Sequence, residues 1–367
     1  MRASIVSALA AALVCGVFTG VARADEEKVV NVYNWSDYIA PDTAAKFEKE
    51  TGIKVTYDVY DGNEVLETKL LTGGSGYDVV YPSAFPFLKN QVAAGAFQPL
   101  DKAKLTNLSK VDPQALKLIS TADPDNTFAV PYMSVTDGVG YNVEAVKQRM
   151  PDAPVDSFDM VFNPEVVNKF ADCGVAMIDA PAEIIPMAMN YLHLDPHSTN
   201  PDDINKVEEL MAKVRPYIRY FHSSKYINDL ANGDICVVLG WSGDILQAKT
   251  RAAESAKKLE IAYSIPKEGT LINFDTMAIP KDAPHPENGL AWINFNMRPD
   301  IAAANSSYVS YANPIPESLP LMDQAVAKDP GVFPPDDVKA KLFVVHTADA
   351  KLLRLQNRLW TRVVTGQ

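Results

Sequence analysis

Two hydrophobic periods alternate along this chain. "VVNVYNW" (29–35) is an apolar-rich run that predicts a strand, and 41–51 carries helical spacing through Ala44, Ala45 and Phe47 until Gly52 stops it. "IKVTYDVYD" alternates as a second strand, "NEVLETKLLT" is an amphipathic helix with Asn63 as its cap, and "YDVVYPS" follows the turn "GGSG" as a third strand. Strands alternating with helices at this interval predict an α/β fold on a parallel sheet. In such sheets ligands sit beyond the carboxyl ends of the strands, and the loops "NWSDY" (34–38) and "YPSAF" (81–85) fall at such ends.

After "TFAVPYMSVTDGVGYN" (127–142) the pattern starts afresh. "GVAMID" is a strand that runs into "APAE" and an apolar helix, "DICVVLGWSGD" is a strand that ends in a polar loop, and "IAYSIPKEGTLINFDTMAIP" (261–280) gives a pair of strands. The chain crosses between two bodies near 131–141 and again near 257–266. Discontinuous lobes follow, 25–134 with 255–328 and 135–254 with 329–367, joined by a hinge with a cleft between them. The tail "KLLRLQNRLWTRVV" is an amphipathic helix expected to dock with Leu353, Leu355 and Trp360 inward.

Residues 1–24 stand apart from this pattern. Arg2 precedes an apolar run from Ile5 to Val21, and Ala22-Arg23-Ala24 forms a cleavage site, so the stretch reads as a secretory signal peptide and the mature chain as periplasmic. Cys15 is preceded by Val14 rather than by the small residue a lipid-anchoring site wants, which favours soluble export. The mature length exceeds what one compact core usually holds and supports two lobes. The formal charge of −12 becomes −14 once Arg2 and Arg23 are removed, which argues against nucleic acid and anionic membranes as partners. Two cysteines survive, Cys173 and Cys236. An oxidising compartment favours a disulfide between them, contributing roughly 4 kcal/mol in the chain-entropy model, and two buried thiols are the alternative.

Catalytic and metal signatures are missing. There is no G-x-S-x-G, no G-x-x-x-x-G-K and no H-E-x-x-H, and Pro196 interrupts the helical face that His193 and His197 would need to hold zinc. No catalytic residue, metal or cofactor is assigned. What recurs is an acid beside an aromatic: Trp35, Asp37 and Tyr38; Trp241 and Asp244; Phe274 and Asp275; with Asp179 and Glu183 in "DAPAE". Carboxylates accept hydrogen bonds from ammonium groups while aromatic faces attract the cation and cover methylene carbons. The combination suits a slim molecule with an apolar body and positive charges.

Longer stretches carry a resemblance. "VYNWSDYIAPDTAAKFEKETGIKVTYDVYD", "NEVLETKLL", "FQPLDK", "RPYIRYFHSSKYINDLANGDICVVLGWSGD", "SIPKEG" and "PPDDVKAKLF" resemble the periplasmic putrescine- and spermidine-binding proteins of polyamine ABC transporters, in order over the whole mature chain. The resemblance implies a two-lobed periplasmic-binding-protein fold of type II that closes by a hinge on a small cationic amine and delivers it to the membrane permease of an ABC importer. It also implies a monomer without cofactor, metal or enzymatic activity. Its pocket maps onto Trp35, Ser36, Asp37, Tyr38, Ser83, Glu183, Trp241, Asp244, Asp275 and Tyr311, with Asp244 and Asp275 near one amine terminus and Glu183 near the other. Putrescine is the leading ligand. Spermidine, cadaverine, agmatine or an amino acid with a terminal amine keeps the mechanism and changes the cargo, and service to a signalling receptor is a further reading.

Departures from the family bear on specificity. Asn273 stands where a bulky aromatic is usual, and "PYMSVTDG" replaces P-Y-M-W-x-T-T-G, which puts Ser134 for Trp and adds a carboxylate at Asp137. The loop after Ser83 reads "AFPF" and is one residue longer, which makes Phe85 a fourth candidate specificity residue.

Overall fold

The computed structural model describes residues 26–345 and 350–366, so the stretch expected to be a signal peptide lies outside the described residues. Nine strands carry the architecture: β1 Val29–Trp35, β2 Lys54–Tyr60, β3 Val79–Val80, β4 Ala129–Asn142, β5 Val175–Met177, β6 Ile218–Phe221, β7 Val237–Trp241, β8 Ile261–Ser264 and β9 Ile272–Ala278. The helices that matter for the site are α1 Thr43–Thr51, α2 Asn63–Thr72, α3 Pro181–Tyr191, α4 Pro201–Val214, α5 Tyr226–Asn232, α6 Ser242–Glu254, α7 Pro286–Asn296, α8 Pro299–Val309 and α9 Ala350–Thr365.

Strand order is β2-β1-β3-β9-β4-β7-β5-β6, with β8 also paired to β4. The β1–β2 and β1–β3 pairs are parallel, as are β5–β6 and β5–β7. The strands that join the two groups are not: β9 and β4 run antiparallel to their neighbours, so the sheet is mixed rather than parallel. β4 is the shared element. Its first part, Ala129–Thr136, pairs with β9, and its second part, from Asp137 onward, pairs with β7 and β8. The pair of strands expected in 261–280 do not pair with each other, because each binds a different half of β4. That puts β8 with the second group of strands, and the chain returns to the first after Ser264, within the expected crossing at 257–266. Two bodies joined through β4 and the 265–271 segment form a two-lobed α/β fold.

Local chemistry explains where the elements stop. β1 alternates inward Val30, Val32 and Asn34 with less buried residues and ends where Asp37 takes a positive φ of 53°, which Asp tolerates better than most residues. α1 begins at Thr43, two residues beyond Pro41, and closes on Gly52, whose φ of 70° lets its N–H reach the Glu48 carbonyl. Asn63 does not cap α2. Its side chain instead turns toward Ser83.

Cys173 and Cys236 form a disulfide with Cα atoms 5.6 Å apart, tying the turn before β5 to the start of β7. α9 packs on α3 and α4. Its buried side chains are Leu352, Leu359, Trp360 and Val363, while Leu353 and Leu355 are only half-buried, one step around the helix from the expected stripe. Among the described residues no helix is long and apolar enough to cross a membrane.

Candidate ligand-binding site

The carboxyl ends of β1, β2, β3 and β7 converge on a cavity of about 490 Å³ including its mouth, floored by the middle of β4 and by β9. Nine of the ten residues mapped to the pocket line it: Trp35, Ser36, Tyr38, Ser83, Glu183, Trp241, Asp244, Asp275 and Tyr311. Trp35 is fixed by its indole N–H, which donates to the Tyr81 carbonyl at 2.8 Å, and its ring meets Trp241 edge-on at 5.6 Å across the cleft. Tyr38 packs edge-on against Tyr311 at 5.0 Å. The walls are therefore aromatic, and among the cavity-lining residues there is no lysine, arginine or histidine.

Five carboxyl groups line this space; Asp61 at the mouth is half-buried, and Asp137, Glu183, Asp244 and Asp275 are buried. Asp275 accepts from the Ser83 hydroxyl at 2.6 Å and from the Tyr38 hydroxyl at 2.7 Å. Ser83 is in turn held by Asn63, which donates to its hydroxyl and accepts from its N–H. Asp244 sits in the first turn of α6 and accepts from Tyr311 and Tyr226, both at 2.7 Å. The approach of Tyr311 depends on Gly243, where a Cβ would lie 2.4 Å from the tyrosine ring. Burial pushes Asp244 up to about 7 and Asp275 up to about 6, against the hydroxyl bonds that favour their charged forms. Glu183, in the first turn of α3, accepts from the Trp241 indole at 2.8 Å. Asp137 lies against Glu183, and burial followed by the neighbouring acid raises it far above the usual carboxylate range. Burial likewise raises Glu183.

Strand alternation sorts the remaining candidates. Val135 and Asp137 share one face of β4 and line the cavity, while Ser134 points to the opposite face and lines a separate hollow with Phe274 and Phe333. Asn273 and Asp275 share the cavity face of β9. Asn273 also donates to the Phe85 carbonyl at 3.2 Å and so ties the 84–88 turn to β9, while the buried Phe85 ring stays outside the lining. Asp37 does not reach the cavity. Its carboxylate pairs with Arg251 of α6 at 2.5 Å, and its carbonyl accepts from Gln247, so it bridges the two bodies at the outer rim. Asp179 is also outside, exposed and bonded to the indole of Trp360, which anchors α9 behind the loop that carries Glu183.

Tyr60, Asp61 and Ser223, which are not among the residues expected from sequence, also line the cavity. Tyr60 is the last residue of β2 and stands beside Trp35 at 4.7 Å, so the strand-end rule that selected Trp35 points to it as well. Ser223 follows β6 in the same way.

An aromatic cleft between two α/β bodies, lined by acids and closed around a floor of crossing strands, defines a solute-binding protein of the two-lobed kind. Residues 42–334 match the model of the bacterial extracellular solute-binding protein family, and the chain belongs to that family. It is 50% identical over 363 residues to the putrescine-binding periplasmic protein PotF of Escherichia coli, with 98% of each chain covered. It is also 50% identical over 360 residues to the putrescine-binding periplasmic protein SpuD of Pseudomonas aeruginosa, again with 98% of each covered. Among solved structures, the spermidine/putrescine ABC transporter substrate-binding protein PotD of Streptococcus pneumoniae superposes with a TM-score of 0.72 at 25% identity, over 92% of this chain and 98% of that one.

Proposed function

We propose that this protein captures a small amine with a positive charge at each end, putrescine first among them, in the periplasm and delivers it to the membrane permease of an ABC importer. One observation carries the reading: Asp244, Asp275 and Glu183 are held around an aromatic-walled cavity whose lining contains no basic side chain. The relatives named above, putrescine-binding by their names at half identity over nearly the full length, support the same ligand class. Asp244 and Asp275 meet one terminus, Glu183 the other, and Trp35, Trp241, Tyr38 and Tyr311 cover the methylenes between. A charge-assisted hydrogen bond is worth about 1.5 to 3 kcal/mol, and micromolar affinity needs about 8 kcal/mol, so a few such contacts and the aromatic walls suffice. An amino acid carries its own carboxylate and would bury it here unpaired, which disfavours it.

The activity is binding and release by a monomer, with lobe closure turning on the middle of β4 and on the 265–271 segment. A thermal-shift screen over diamines, polyamines, guanidino amines and amino acids tests it, because a ligand bound only by the native state raises the melting temperature. Putrescine should give one of the largest shifts. A screen silent for every amine sinks the proposal.

A further inference from the structure

One oxygen in the cavity has no donor. Asp137 is 2% exposed, faces the cavity from the floor strand, and its Oδ1 receives no hydrogen bond among the described residues. Its neighbour Glu183 accepts from the Trp241 indole through Oε2. The two carboxyl groups lie within hydrogen-bonding reach of each other, which leaves two ways to reconcile them in a buried place: a shared proton, or a cation with donors for both.

We propose that Asp137 is a ligand-contact residue that joins Glu183 in a two-carboxyl subsite, and that this subsite extends the range of bound amines to those ending in a guanidinium. The inference rests on the cationic-ligand reading above. An ammonium presents three donors from one point and is strongly hydrated. A guanidinium is planar, presents five donors in a fork and gives up its hydration more readily, so it spends donors on both carboxyl groups where a single carboxylate would leave some unmet. The surroundings add no competing cation. Glu183 faces Asp137 from α3 and Asp275 faces it from β9, the hydroxyls of Tyr226 on α5 and Tyr263 on β8 stand near it as well, and Glu64 of α2 acts on Glu183. Asn273, in register with Val135 on the neighbouring strand, supplies a short side chain beside the subsite. When the guanidinium enters, the proton shared by the two acids leaves to the buffer and the cation takes its place.

The test is calorimetry of the purified protein with putrescine and with agmatine, using the wild type, Asp137→Asn and Asp137→Thr. Both amines should bind the wild type, and each substitution should weaken agmatine about tenfold more than putrescine, the order expected for one charge-assisted contact. Repeating the agmatine titration in two buffers of different ionisation enthalpy should give proton release that falls on substitution. Equal weakening of both amines, or no change in either, overturns the subsite and leaves the cationic reading standing. Failure of the folded wild type to bind either amine overturns that reading, and the subsite with it.

Discussion

Two pairs of cavity acids are held in opposite ways. Asp244 and Asp275 have each oxygen bonded to a hydroxyl, so their positions are fixed before any ligand arrives. Glu183 and Asp137 crowd each other, and one oxygen of Asp137 finds no donor among the described residues. A clamped carboxylate loses little freedom on binding, whereas a crowded pair can redistribute its charge. The clamped pair therefore suits fixing where a cation sits, and the crowded pair tolerates change in what the cation is.

Breaking the clamped pair should have the largest effect. Asp244→Asn removes a charge that nothing else at that terminus replaces in full, and putrescine affinity by calorimetry should fall about 30- to 100-fold with the melting temperature of the free protein unchanged or raised. An affinity within threefold of wild type would show that the clamp does not hold the ligand.

The pH dependence reads the clamped pair. Asp244, held at about 7, and Asp275, at about 6, carry protons in the empty folded site more readily than in the unfolded chain. Those protons favour the empty native state in full only below the unfolded carboxyl value of about 4, and that advantage is lost as pH rises from there through the folded values. A bound dication prefers the ionised acids, so affinity should climb at least about tenfold from pH 5 to pH 7.5, the factor that one acid held at about 6 gives by itself, and then flatten. The melting-temperature gain with putrescine should be wider at the upper pH, and a flat profile would rule out protonated acids in the empty site.

Gly243→Ala probes the clamp without touching a charge. The added Cβ meets the Tyr311 ring, which must swing away from Asp244, and affinity should drop about tenfold. Glu183→Gln probes the crowded pair and should cost only about threefold, because Asp137 beside it ionises against the bound cation and supplies the missing charge. A loss as large as that of Asp244→Asn would erase the contrast between the pairs. Arg251→Ala should change affinity least, about twofold, since its pair with Asp37 is partly exposed at the rim. Stopped-flow kinetics should place that change in ligand release if the pair fastens the closed lobes.

Much of this site was legible before the fold was known. Trp35, Tyr38, Trp241 and Asp244 lie where strand periodicity ends in an aromatic and acidic loop, and the period-two pattern of "MSVTD" already separates Ser134 from Asp137. The same rule would have found Tyr60 at the end of β2. Asp37 reads as a pocket acid by every local criterion, and only the presence of Arg251, more than two hundred residues along the chain, turns it to the rim. Asn63 looks like a helix cap and instead holds Ser83, which holds Asp275.

Sequence by itself determined which faces are apolar, where strands end, and therefore which chemical types stand at the cleft, because backbone periodicity is a local property. Tertiary structure decided the partners. Which acid is clamped, which is paired to a base and which is left without a donor depends on β4 leaving one sheet for the other at Asp137 and on side chains that meet across the two lobes. Hydrogen bonds act over about 3 Å, and no pattern along a chain records which distant groups will come that close.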